Sequence, residues 1–121
     1  MAKTVLVVDD EEVVVDITKR KLAQEGYLVL TAGNGEQALQ VLREGVVDLI
    51  LLDVEMPKMN GYEFMNERKK IPGVEDIPVI VLTAYDSMEP IFRRNKVAAY
   101  LTKPLRFQEV LAKVKEVVGA P

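Results

Sequence analysis

Three short runs of consecutive apolar residues constrain this chain most: Val5-Leu6-Val7-Val8, Leu49-Ile50-Leu51-Leu52 and Val79-Ile80-Val81-Leu82. A strand with one face in water alternates apolar and polar side chains. A strand covered on both faces does not, and unbroken β-branched and leucine runs of this length point to a parallel sheet between layers of helix. Tyr27–Ala32 is a fourth strand candidate, and Val97–Leu101 a weaker fifth.

The segments between these runs have helical length and punctuation. Glu12–Glu25 places Val14, Ile17 and Leu22 on roughly one face and stops at Gly26. Asn34 is a good N-cap for Gly35–Glu44, with Ala38, Leu39 and Leu42 turned inward and Gly45 at the end. Gly61–Lys70 carries Tyr62, Phe64 and Met65 and is closed by Pro72-Gly73. Ser87–Asn95 is a short helix in which Pro90 fits only the first turn. Arg106–Val118 repeats Val110, Leu111, Val114 and Val117 or Val118 at helical spacing. Strand and helix alternate five times, which predicts a doubly wound α/β fold with right-handed crossovers. With 121 residues and no linker or repeat, a single domain spanning 1–121 is expected.

In such a sheet the strands point one way and ligands bind beyond their carboxyl ends. The residues that follow the apolar runs are Asp9-Asp10, Asp53, Thr83 and Thr102-Lys103-Pro104. Read singly, each has a plainer explanation. Asp9 and Asp10 suit a helix N-terminus, Asp53 suits an Asx-turn before Met56-Pro57, Thr83 is an ordinary strand residue, and Lys103 is an ordinary surface lysine. Tyr100 by itself reads as core packing, and Met56 and Met59 as gap-fillers. Together they bring three carboxylates, a hydroxyl and an ammonium to one rim. Carboxylates that close repel one another at reduced dielectric, so the group calls for cations. Lys103 supplies one, and a hard divalent ion would supply the rest.

Composition narrows the ion. The chain has no cysteine and no histidine, so any metal is held by oxygen, which favours Mg²⁺, Ca²⁺ or Mn²⁺. The net charge of −3 gives no electrostatic case for nucleic-acid binding. No apolar run has the length of a membrane span, and the N-terminus does not read as a signal peptide, so a cytoplasmic protein is expected.

From VLVVDDE through LILLDVEMPKMNG and VIVLTA to YLTKPL, the chain resembles the CheY-like receiver domains of two-component response regulators over essentially its whole length. The resemblance implies a flavodoxin-like, five-stranded parallel sheet of order 2-1-3-4-5 with five helices. It implies that Asp53 is the phosphoacceptor, modified by a sensor histidine kinase, a phosphotransfer protein or a small phosphodonor. Asp9 and Asp10 would hold Mg²⁺ (or Mn²⁺) with Asp53 and the backbone carbonyl of Glu55. Lys103 would pair with a phosphoryl oxygen and Thr83 would hydrogen-bond another. Tyr100 would turn inward as Thr83 moves, altering the face built from the fourth helix, fifth strand and fifth helix, through which a downstream effector is met. Lys103-Pro104 matches a junction that is usually cis. The resemblance further implies a monomer whose pairing, where it occurs, follows phosphorylation, with only weak self-phosphorylation and autodephosphorylation. Glu55 and Tyr85 flank the expected path of the hydrolytic water and are expected to set the lifetime of the acyl phosphate.

The sequence departs from the family pattern between Thr83 and Tyr100. The usual Gly-Ala pair before the aromatic is absent, the stretch is a residue or two short, and it holds Pro90 and Arg93-Arg94. A Mg²⁺-dependent aspartyl-phosphate phosphatase, a pseudo-receiver scaffold that never takes phosphate, and a flavodoxin-like electron carrier are competing readings. The last lacks a phosphate loop rich in Ser, Thr or Gly after the first strand, where this chain has acids.

Overall fold

A computed structural model describes residues 2–53, 61–83, 97–102 and 106–121. Within them the strands are β1 Thr4–Val8, β2 Leu28–Ala32, β3 Leu49–Asp53, β4 Val79–Thr83 and β5 Ala99–Thr102. The helices are α1 Glu12–Gln24, α2 Gly35–Glu44, α3 Gly61–Arg68 and a C-terminal α4, Phe107–Val118. All neighbouring strands pair in parallel, in the order β2-β1-β3-β4-β5. The expected helix at Ser87–Asn95 lies outside the described residues, as does the side chain of Tyr62.

Alternation along the strands sorts the core into two layers. Leu6, Val8, Ile50, Leu52, Val79 and Val81 meet Ala38, Leu39 and Leu42 of α2 and Phe64 and Met65 of α3. Val5, Val7, Leu49, Leu51 and Ile80 face the other way, onto Leu22 of α1 and Val110 and Val114 of α4. Helices thus cover both faces, which is why β1, β3 and β4 read as continuous apolar runs. β2 is an edge strand with Leu28 and Leu30 exposed, and β5 is only half-buried. Among the described residues no helix is long and apolar enough to cross a membrane.

One helix differs from its sequence reading. The inward residues of α1 are Val15, Thr18 and Leu22, with only Leu22 fully buried, whereas Val14 and Ile17 are 39% and 48% exposed. The helix is rotated by about one position from its most apolar stripe. Thr18, a polar residue, occupies the seat that the pattern assigned to Ile17.

The helix ends follow local chemistry. Asn34 caps α2, its Oδ1 accepting the Gln37 N–H at 2.9 Å. α1 turns into β2 through Gly26, whose φ of +104° is one that side chains rarely adopt. Beside this turn the Tyr27 hydroxyl donates to the Gly119 carbonyl at 2.8 Å, and Lys115 pairs with Glu25 at 3.4 Å. Burial pushes the Tyr27 hydroxyl above its ordinary range; Lys115 opposes that shift and Glu25 adds to it.

Candidate metal centre

The acidic cluster follows from the register of the sheet. Val8 pairs with Leu52, so Asp9 and Asp53 are the next residues on adjacent strands, one strand spacing apart. Asp53 in turn is level with Leu82, which brings Thr83 one residue beyond it on β4, and Thr83 is level with Thr102 on β5. The carboxyl edge of the sheet therefore assembles its polar residues by pairing alone.

Each of Asp9, Asp10 and Asp53 offers a carboxylate oxygen, and these oxygens all lie within 4.8 Å of one another. Asp9 and Asp53 are buried, at 5% and 3% exposure, and Asp10 faces solvent. Thr83 is fully buried behind them. Asp9 is fixed twice: its N–H donates to the Ala32 carbonyl at 3.1 Å, and its Oδ1 accepts the Glu11 N–H at 2.9 Å. The second bond is an Asx-turn onto the N–H of Glu11, the residue before α1, and not a helix cap; it uses one carboxylate oxygen and leaves the side chain at the cluster. Ionised together, three carboxylates so close would repel strongly in a partly dry site. A hard cation relieves that repulsion, and an all-oxygen donor set of two buried acids and one exposed acid suits Mg²⁺, which retains some of its waters. The residues present fit a metal of this class.

The cluster opens into a groove of about 750 Å³ between α1 and the β2–α2 turn, lined by Asp9, Asp10, Asp16, Val13 and Gln37 among others.

Of the residues expected at the site, the structure brings together Asp9, Asp10 and Asp53 and places Thr83 at the same edge. Tyr100 is half-buried on β5, level with Val81 and packed against the α2–α3 core layer. Lys103, Pro104, Glu55 and Tyr85 lie outside the described residues.

Two residues escaped sequence reading. Gln37 lines the groove and accepts the Gly33 N–H on Oε1 at 2.8 Å. The spacing of Asn34 and Gln37, a cap residue followed three later by Gln, is a capping-box signature that would have flagged it. Arg68 is 3% exposed at the end of α3, and its Nη1 donates to the Val74 carbonyl at 3.1 Å, tying down the turn before β4. Burial pushes its guanidinium below the usual value, with Glu75 opposing. No pattern of charge or periodicity signals it.

Known proteins share both the fold and the sequence. A family model described as the response regulator receiver domain matches residues 5–115. The "Probable transcriptional regulator ycf27" of Pyropia yezoensis is 38% identical over 116 residues, which cover 94% of this chain and 46% of that protein. This chain therefore spans less than half the length of that curated relative. Among solved structures, response regulator TrrA of Thermotoga maritima, in complex with Mg²⁺-BeF, is 40% identical, with TM-score 0.83 over 95% of this chain and 98% of that one. The Vibrio cholerae chemotaxis protein CheY4 is 27% identical, with TM-score 0.90 over 97% of this chain and 99% of that one. An acid-rich carboxyl edge, a CheY-like sheet and a family match over nearly the whole length lead to one conclusion: the chain belongs to the receiver domains of two-component response regulators.

Proposed function

We propose that Asp53 is the phosphoacceptor of this receiver domain and that Asp9, Asp10 and Asp53, with the carbonyl of Glu55, hold Mg²⁺ (or Mn²⁺). The observation that carries the reading is the convergence of the three carboxylates within 4.8 Å at the carboxyl edge of the sheet, where Asp9 and Asp10 also line an open groove. The Mg²⁺-BeF complex of the Thermotoga relative supports it, because BeF mimics a phosphoryl group.

Phosphoryl transfer asks little covalent chemistry of a protein beyond in-line positioning and charge neutralisation. An Asp53 carboxylate oxygen attacks phosphorus. The P–N bond of a phosphohistidine, or the P–O bond to the acyl group of a small donor, breaks with its electron pair on the leaving group. A Mg²⁺ held by these acids would supply Lewis-acid neutralisation of the phosphoryl oxygens. The β3 backbone holds Asp53 rigid for attack, and Asp9 is held by its two hydrogen bonds. Lys103 pairs with one phosphoryl oxygen, and the Thr83 hydroxyl donates to another once the charge has arrived. Tyr100 follows Thr83 inward, and the face built from the expected helix at Ser87–Asn95, β5 and the C-terminal α4 repacks to meet an effector. Water attacks the acyl phosphate, releasing inorganic phosphate and restoring the Asp53 carboxylate, with Glu55 and Tyr85 helping to set the rate.

In this reading the chain is a switch with weak self-phosphorylation and autodephosphorylation and is not an enzyme acting on free substrates. A sensor histidine kinase or phosphotransfer protein is its donor, the cytoplasm its compartment, and the protein is a monomer whose pairing depends on phosphorylation. The chain itself does not bind nucleic acid. The ycf27 relatives support a transcriptional output for a longer protein built on such a domain.

The test is incubation with acetyl phosphate, with and without Mg²⁺, followed by intact mass. The expected result is a single hydroxylamine-labile phosphoryl adduct that needs the metal and is lost in Asp53→Asn. Turnover of many phosphoesters would favour a phosphatase, and absence of any adduct a scaffold.

A further inference from the structure

We infer that Gln37 is a positioning residue for the acidic site, acting through the turn between β2 and α2. The inference rests on the reading of Asp9, Asp10 and Asp53 as a metal centre.

The connection is a short chain of hydrogen bonds. Asp9 leaves β1 at the last rung of the β1–β2 ladder, where its N–H donates to the Ala32 carbonyl at 3.1 Å. The next residue, Gly33, has no strand partner, and its N–H donates instead to Gln37 Oε1 at 2.8 Å. Gln37 is itself fixed, its N–H bonded to Asn34 Oδ1 at 2.9 Å. Its helix is seated in the core by Ala38, Leu39 and Leu42. The peptide unit between Ala32 and Gly33, whose carbonyl accepts from Asp9 and whose N–H donates to Gln37, is thereby referred to a rigid element. Contact at Gly33 is close: a Cβ there would stand 3.3 Å from Gln37 Oε1. Gln37 also lines the same groove as Asp9 and Asp10.

The consequence for the metal is geometric. Mg²⁺ tolerates little departure from octahedral bonds of about 2.0–2.1 Å, so a small drift of one acid is felt as lost affinity. Groups that orient metal ligands directly are worth about 10- to 100-fold in affinity. Gln37 acts one bond further out, so its removal is expected to cost about three- to tenfold.

The experiment is titration of the parent, Gln37→Met and Gly33→Ala with magnesium chloride alone. Backbone amide shifts of Asp9, Asp10 and Asp53 are followed, along with amide hydrogen exchange at Asp9 and Gly33. Gln37→Met keeps the length of the side chain and removes the acceptor. It is expected to raise the Mg²⁺ midpoint about three- to tenfold and to speed exchange at both Gly33 and Asp9. Gly33→Ala, which crowds the same bond, moves both readouts in the same direction by less. The double variant is expected to match Gln37→Met, since both act through one bond. A Gln37→Met protein with lower thermal stability but the parent's midpoint and the parent's Asp9 exchange would overturn the inference, leaving Gln37 as a helix cap. A parent that shows no response to magnesium would remove the metal centre and the inference together.

Discussion

Helices α1 and α2 stand on either side of the groove that opens from the acids, and they are built in opposite ways. α2 buries Gly35, Ala38, Leu39 and Leu42 and begins with a side-chain cap from Asn34. α1 buries only Leu22, has no side-chain cap at Glu11, and leaves Val13 71% exposed beside Val14 and Ile17. Both are amphipathic in sequence, yet one spends its apolar residues on the core and the other leaves most of them outside. The lesson is that apolar count along a helix says little about its grip on the sheet. What decides is which residues the crossover turns inward, and for α1 those are Val15, Thr18 and Leu22.

The sharpest way to break this comparison is truncation of the buried leucines. Leu22→Ala should destabilise by about 2–5 kcal/mol, as much as Leu39→Ala or Leu42→Ala, because each leaves a cavity. Denaturant unfolding measures it. A loss near zero for Leu22→Ala would mean that α1 is held by something other than its one buried leucine. The helix starts come next. Asn34→Ala should cost about 1 kcal/mol through loss of the cap, while Glu11→Ala should change stability by less than about 0.5 kcal/mol.

At the other end of α1, Tyr27→Phe removes the hydroxyl that donates to Gly119, for about 0.5–1.5 kcal/mol. The pH dependence has a definite sign. The folded state holds the Tyr27 proton more tightly than the unfolded chain does. That contribution is complete below about pH 10 and is lost as pH rises through the higher folded value. Thermal melts above pH 10 should therefore fall less steeply for Tyr27→Phe than for the parent. The smallest effects belong to the outer face of α1. Val13→Ser and Ile17→Ser should each stay within about 0.5 kcal/mol of the parent. A larger loss in either would show that the face is covered in solution.

Much of the fold was legible because burial on both faces leaves so plain a trace. β1, β3 and β4 could be read from their runs, and α2 from its cap and its inward Ala38, Leu39 and Leu42. α1 was misjudged because periodicity finds the most apolar stripe, whereas the chain seats Thr18 inward and Ile17 outward. The acids were legible because each follows an apolar run, so strand register alone brings Asp9 and Asp53 side by side. Gln37 and Arg68 were not, because each works by reaching a backbone group that is fixed only after the elements have packed. Tertiary placement, not local propensity, gives such residues their roles. Thr83 and Tyr100 stand between these cases: the strand of Thr83 is plain in the sequence and that of Tyr100 only weakly marked, while the motion proposed for them depends on a second packing of the same core.

The clasp of Tyr27 on Gly119 has a practical consequence for anyone who labels this molecule. Parallel strands put Tyr27, which precedes β2, at the amino edge of the sheet, and Gly119 is held there beside it. A five-residue strand is about 17 Å long, so a reporter joined after Pro121 would ride on the underside of the domain, a full strand length from Asp53. It would leave the acidic edge of the sheet clear, and it would register the proposed modification of Asp53 only through changes relayed across the sheet.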